Sequence, residues 1–192
     1  ATMKKYEQDM TQGSLWKQIW NYSLPLMFSN VLQVIFNLAD IAVVGQFGGA
    51  GALGSVGSTT ILVTLFVSLL MGISSGVNVL VAQAKGEKNN QRTSDTVHTG
   101  AVIMLIAGIL VAFVCFVLAR PILTAMNTKP ELLEGAVLYF RIYFLGAPAI
   151  SLYNYGNAVL SAVGDTKRPL YFLTLAGVVN VVLNLIFVII FH

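Results

Sequence analysis

The amino-acid sequence points to an all-α integral membrane protein, a polytopic helical bundle with five transmembrane helices. Charged residues make up 10% of the 192 and apolar residues 56%, and the mean hydropathy is +0.78. No soluble domain of this size would present such a composition to water. Five long apolar runs follow one another: Tyr22 to Val44, Ala52 to Ala84, Thr96 to Leu118, Leu132 to Val163 and Leu170 to Phe191. Each meets the roughly 20 residues that a helix needs to cross a hydrocarbon core about 30 Å thick. They stay apolar throughout instead of alternating over ~10 residues, as the strands of a membrane barrel do.

Helices are expected at about 15–44, 52–84, 94–118, 132–163 and 169–191, within a single membrane domain over 1–192. Ser14 is a candidate cap for the first, and Trp16 and Trp20 suit the headgroup level. A cleavable signal peptide is not expected, because the first run holds Pro25, Asn30, Gln33, Asn37 and Asp40 and lacks a short h-region with a cleavage site. Gly45 to Gly51 reads as a tight turn. The second helix would be roughly 48 Å long at 1.5 Å per residue, and its Gly72 and Gly76 form a GxxxG pair suited to close backbone approach. Ala119 to Leu133 reads as a loop with a short interfacial helix. In the fourth helix Pro148 invites a kink. Gly164 to Pro169 is a compact turn whose proline starts the fifth.

Basic residues decide the orientation. Lys4, Lys5 and Lys17, then Lys85, Lys88 and Arg92, then Lys167 and Arg168 fall on one side, against Arg120 and Lys129 on the other. The excess of positive charge places the amino terminus in the cytoplasm of a multi-pass plasma membrane protein, a bacterial inner membrane being the expected one. These bases form no continuous stripe interleaved with aromatics, so nucleic acid is not an expected partner. Cys115 is the single cysteine, which excludes an internal disulfide and a cysteine-rich metal site. The two histidines are far apart, no serine sits in a GxSxG elbow, and the glycines around Gly54 and Gly57 lack the lysine of a phosphate loop. No enzyme and no resident cofactor are expected.

Asp40 is the residue that physics singles out. A carboxyl group at membrane depth costs at least ~2.5 kcal/mol on insertion scales and marks an ion path or proton relay. Asn30, Gln33, Asn37 and Asp40 recur at helical spacing, so they share one face. The alternative is an aspartate near a helix end that reaches the headgroups. Asn180 and Asn184 share a face of the last helix, and a rise of 1.5 Å per residue puts Asn184 about 22 Å and Asp40 about 25 Å from the inner surface. Together these three offer hard oxygen ligands for sodium, or a carboxylate able to exchange a proton; alternatively, the amides only bond between helices. In the fourth helix Tyr139, Arg141, Asn154 and Asn157 either line a cavity or serve as scaffold, with Arg141 snorkelling outward.

Four segments carry a family resemblance: Met10-Thr-Gln-Gly-Ser-Leu-Trp-Lys, Asn37-Leu-Ala-Asp40-Ile-Ala-Val-Val-Gly-Gln-Phe-Gly, Val56-Gly-Ser and Gly164-Asp-Thr-Lys-Arg-Pro169. In their order and placement at helix ends they resemble the multidrug and toxic compound extrusion (MATE) family over nearly the whole chain. The resemblance implies two six-helix lobes in a V-shaped, rocker-type antiporter that exports cationic amphipathic compounds in exchange for sodium ions or protons. This chain would supply five helices of the first lobe, without the sixth helix and the second lobe, and would not transport by itself. The coupling site is implied at Asp40, Asn180 and Asn184, which are also the candidate sodium ligands, with Tyr139 facing the same cavity and Gln33, Asn37, Asn154 and Asn157 lining it. The family commonly has an aspartate where this chain has Asn184. Two other readings are a flippase for lipid-linked sugars, which needs a more basic cavity, and a non-transporting membrane scaffold or remnant.

Overall fold

A computed structural model describes residues 14–47 and 49–190, all of them in helices or the turns between them. The helices are α1 (Leu15–Phe47), α2 (Gly49–Gly86), α3 (Asn90–Ala125), α4 (Pro130–Leu145), α5 (Ala147–Ala162) and α6 (Lys167–Ile190). Four are long and apolar enough to cross a membrane, and α4 and α5, bent by 47° at the break between them, are so when taken together.

That bend corrects the expectation of one continuous helix over 132–163. Pro148 has no N–H to continue the ladder, and α4 ends at Gly146, which is also the cap of α5. The bend is held from outside. A Cβ at Gly108 of α3 would lie 2.8 Å from Pro148 Cα and 2.8 Å from Ser151 Cβ, and the buried Ser151 hydroxyl donates to the Met104 carbonyl. Only glycine lets the two chains approach this closely.

Other boundaries also move. α3 begins at Asn90, capped by the Asn89 side chain, which accepts from Arg92 N at 3.0 Å. It continues through Pro121 to Ala125, so the short interfacial helix expected between Ala119 and Leu133 does not exist separately. Arg120 pairs from α3 with Glu134 of α4. α1 runs to Phe47 and α2 starts at Gly49, leaving a tighter turn than the seven residues from Gly45 to Gly51 suggest; Gly48 and residues 1–13 lie outside the described residues. α6 starts at Lys167, two residues before Pro169, because Asp165 supplies the cap by accepting from Arg168 N at 3.1 Å. Gly164 stands at φ 85°, the left-handed position that suits glycine in this turn.

The core lies among α2, α3 and α4. Leu70, Cys115, Leu123, Phe140 and Phe144 are fully buried there, and Phe66 meets the Phe144 ring edge-on at 5.5 Å. α1 and α6 pack chiefly along each other, with smaller contacts from α1 to α2 and from α6 to α5. A Cβ on Gly177 of α6 would run into the Phe36 ring of α1, so this glycine sets how closely they approach. Phe36 lies opposite Gly177 and Asp40 opposite Asn180 and Asn184, which makes the pair parallel, as the first and last of five crossings must be. Gly72 and Gly76 have no atom within 4 Å of where a Cβ would stand; their expected close helix contact is not made among the described residues.

Candidate functional site

Between the α1/α6 pair and the α4/α5 crossing runs a groove. Among the described residues no Cα of α1 lies within 8 Å of one in α4 or α5, so only side chains span the gap. On the polar face of α1, Asn30, Gln33 and Asn37 are exposed and Asp40 is half-buried.

At Asp40 the structure brings together the three residues that the sequence singles out. Asn184 Nδ2 donates to Asp40 Oδ1 at 2.8 Å. Oriented by its partners, the Asn180 amide also presents its nitrogen to the carboxylate, 2.8 Å from Oδ1 and 3.1 Å from Oδ2. Tyr139 of α4 stands near enough to interact electrostatically with Asp40, and its ring lies 6.0 Å from that of Tyr143. The carboxylate is thus held from α6 by two N–H donors. Donors satisfy a negative charge and repel a cation, so a sodium ion bound here would require both amides to turn their oxygens inward. A proton needs no such rearrangement.

The remaining residues fall elsewhere. Arg141 is turned onto α3, where its guanidinium lies 5.0 Å from the Phe116 ring centroid and Nε donates to the Phe116 carbonyl at 3.0 Å; it belongs to the scaffold. Asn154 is half-buried on α5, with no recorded bond to Asp40. Asn157, also on α5, accepts from Ser161 Oγ at 3.5 Å.

Sequence reasoning missed two residues that reach across the groove. The Tyr22 hydroxyl of α1 donates to the Ser161 carbonyl at 3.3 Å, and Tyr153 of α5 stands near Gln33 of α1. The spacing of Tyr153, Asn157 and Ser161, four apart each time, was a usable signal for a polar stripe on α5. A partner 120 or more residues away was not.

Comparison with known proteins agrees with this geometry. The MatE family model matches residues 25–186. A relative in Bacillus subtilis, "Probable multidrug resistance protein YpnP", is 32% identical over 192 residues, 99% of this chain and 42% of its own length. The crystal structure of a MATE protein in complex with MaD3S superimposes with a TM-score of 0.86 at 26% identity, over 93% of this chain and 40% of that one. A Pyrococcus furiosus transporter of the MOP superfamily, described as having a binding pocket of reverse polarity that suggests a different function, gives 0.86 at 26%, over 93% and 39%.

Proposed function

The chain belongs to the MatE family, and from that premise we propose that it is the amino-terminal lobe of a secondary antiporter, which exports cationic amphipathic compounds in exchange for protons or sodium ions. It spans about two fifths of the length of the relatives it matches. The second lobe would come from sequence beyond it, and the exchange would be performed by the whole protein.

One observation carries the reading: Asp40, an ionisable group within a long apolar helix, is held by two amides of α6. A half-buried acid at membrane depth attracts a cation and is neutralised equally well by a proton, so cargo and coupling ion compete for one charge. The donor set favours the proton. With Arg141 packed on α3, no base among the described residues is seen beside Asp40 to hold an anionic pyrophosphate, which weighs against the flippase. The test is ethidium export from cells making the natural full-length protein, wild type against Asp40→Asn, with sodium and pH varied separately. Export by the wild type alone supports the reading, and the gradient it follows names the ion. Equal export by both overturns it.

A further inference from the structure

The aromatic residues of α4 form two layers. Phe140 and Phe144 are fully buried, with ring centroids 4.7 Å apart, and Phe66 of α2 closes on Phe144 edge-on at 5.5 Å. Outside them stand Tyr139 and Tyr143, both half-buried, their centroids 6.0 Å apart and their rings inclined by 35°. One turn separates the two tyrosines, so they share a face of the helix. Tyr139 interacts electrostatically with Asp40, which places that face on the side of α1. At 1.5 Å per residue Tyr143 lies about 20 Å along α4 from Pro130, too far into the span to serve as a headgroup anchor.

We propose that Tyr143, together with Tyr139, selects the cargo: the two rings form a π surface beside Asp40 that takes organic cations carrying no N–H, such as quaternary ammonium and phosphonium ions. This rests on the reading of Asp40 as the group that attracts cargo. The carboxylate already receives N–H donors from Asn184 and Asn180, each at 2.8 Å. An ammonium bearing N–H groups would have to displace one of these amides to bond to it. A cation without donors needs only the negative potential of the carboxylate and a face to lie against. The tyrosines supply that face, because a ring attracts a cation within about 6 Å of its centroid, and more strongly where water is excluded. They are also held in advance of binding. Tyr143 meets the Phe144 ring at 5.3 Å and 68°, so the buried aromatic layer fixes it and little ordering remains for the cargo to pay. The base between them in sequence, Arg141, does not compete for the rings, since its guanidinium lies on Phe116 of α3, 5.0 Å from the centroid.

The test is binding of tetraphenylphosphonium to the purified natural full-length protein. Tyr143→Leu should bind it about five- to thirtyfold more weakly, the worth of one desolvated contact between a cation and a ring. Tyr143→Phe keeps the ring face and should bind much as the wild type does. Phenylalanines carrying successive fluorines at position 143 keep the shape while draining negative charge from the face, and binding should weaken with each fluorine, a trend that a merely structural side chain would not produce. Benzyltrimethylammonium should displace the phosphonium at lower concentration than benzylammonium, which differs in bearing N–H groups. Binding that ignores the fluorines, or benzylammonium displacing as well as its methylated counterpart, overturns the proposal. Asp40→Asn is measured alongside: if it loses binding while the ring at 143 has no effect, the reading of Asp40 stands and the selection by tyrosine falls, and if the wild type binds no phosphonium, both fall.

Discussion

Asn184 and Asp40, 144 residues apart in sequence, meet at 2.8 Å with the amide nitrogen donating to the carboxylate. This bond ties the last crossing to the first and fixes the polarity of the site: a negative charge received by donors.

Removing that donor has a consequence with a definite sign. Asn184→Ala leaves the carboxylate with one hydrogen bond fewer and removes a tie between α1 and α6. Purified full-length protein should lose about 0.5–1.5 kcal/mol of stability, the worth of one such bond, and ethidium export should fall. Unfolding and export both unchanged would mean that the bond does not hold Asp40.

The approach of α1 and α6 depends on Gly177, where a Cβ would meet the Phe36 ring. Gly177→Leu should force the pair apart and lower stability by about 1–3 kcal/mol, the usual cost of overpacking. Thermal unfolding of the purified full-length protein reads this directly. Phe36→Ala in the same chain should recover part of the loss.

At the bend, Gly108→Ala brings a methyl against Pro148 Cα and Ser151 Cβ, each 2.8 Å away. Backbone cannot yield as a side chain can, so a comparable loss of about 1–3 kcal/mol is expected. Because Tyr139 and Tyr153 flank this bend, export should fall with stability.

Asp165 is 1% exposed; it caps α6 through Arg168 N at 3.1 Å and pairs with Arg168 Nε at 3.1 Å. Asp165→Ala removes both interactions, and loss of the cap alone costs about 1 kcal/mol. Lower expression and a lower unfolding temperature should follow, whereas Asp165→Asn, which keeps a capping oxygen, should lose less.

Much of this molecule was legible in its sequence, for reasons that differ by element. The long apolar runs could be read because lipid admits few other backbone arrangements, and Asp40, Asn180 and Asn184 because polar groups at one depth and on one helical face stand out against leucine and valine. The break at Gly146 was foreshadowed by Pro148, but its depth depends on Gly108, a residue of another helix. The run of α3 through Pro121 was hidden because a proline usually ends a helix, although it removes only one donor. Gly72 and Gly76 matched a packing motif whose use depends on what lies opposite, and the described residues leave that face open. Tyr22 and Tyr153 went unnoticed because a tyrosine in an apolar run looks like an interfacial anchor until its distant partner is known.

The central claim is that Asp40 exchanges the coupling ion for cargo. Purified full-length protein in liposomes, given an ethidium gradient and a trapped pH-sensitive dye, tests it most directly. The account predicts proton movement opposite to ethidium in the wild type and none with Asp40→Asn. Equal proton movement with Asp40→Asn would contradict it.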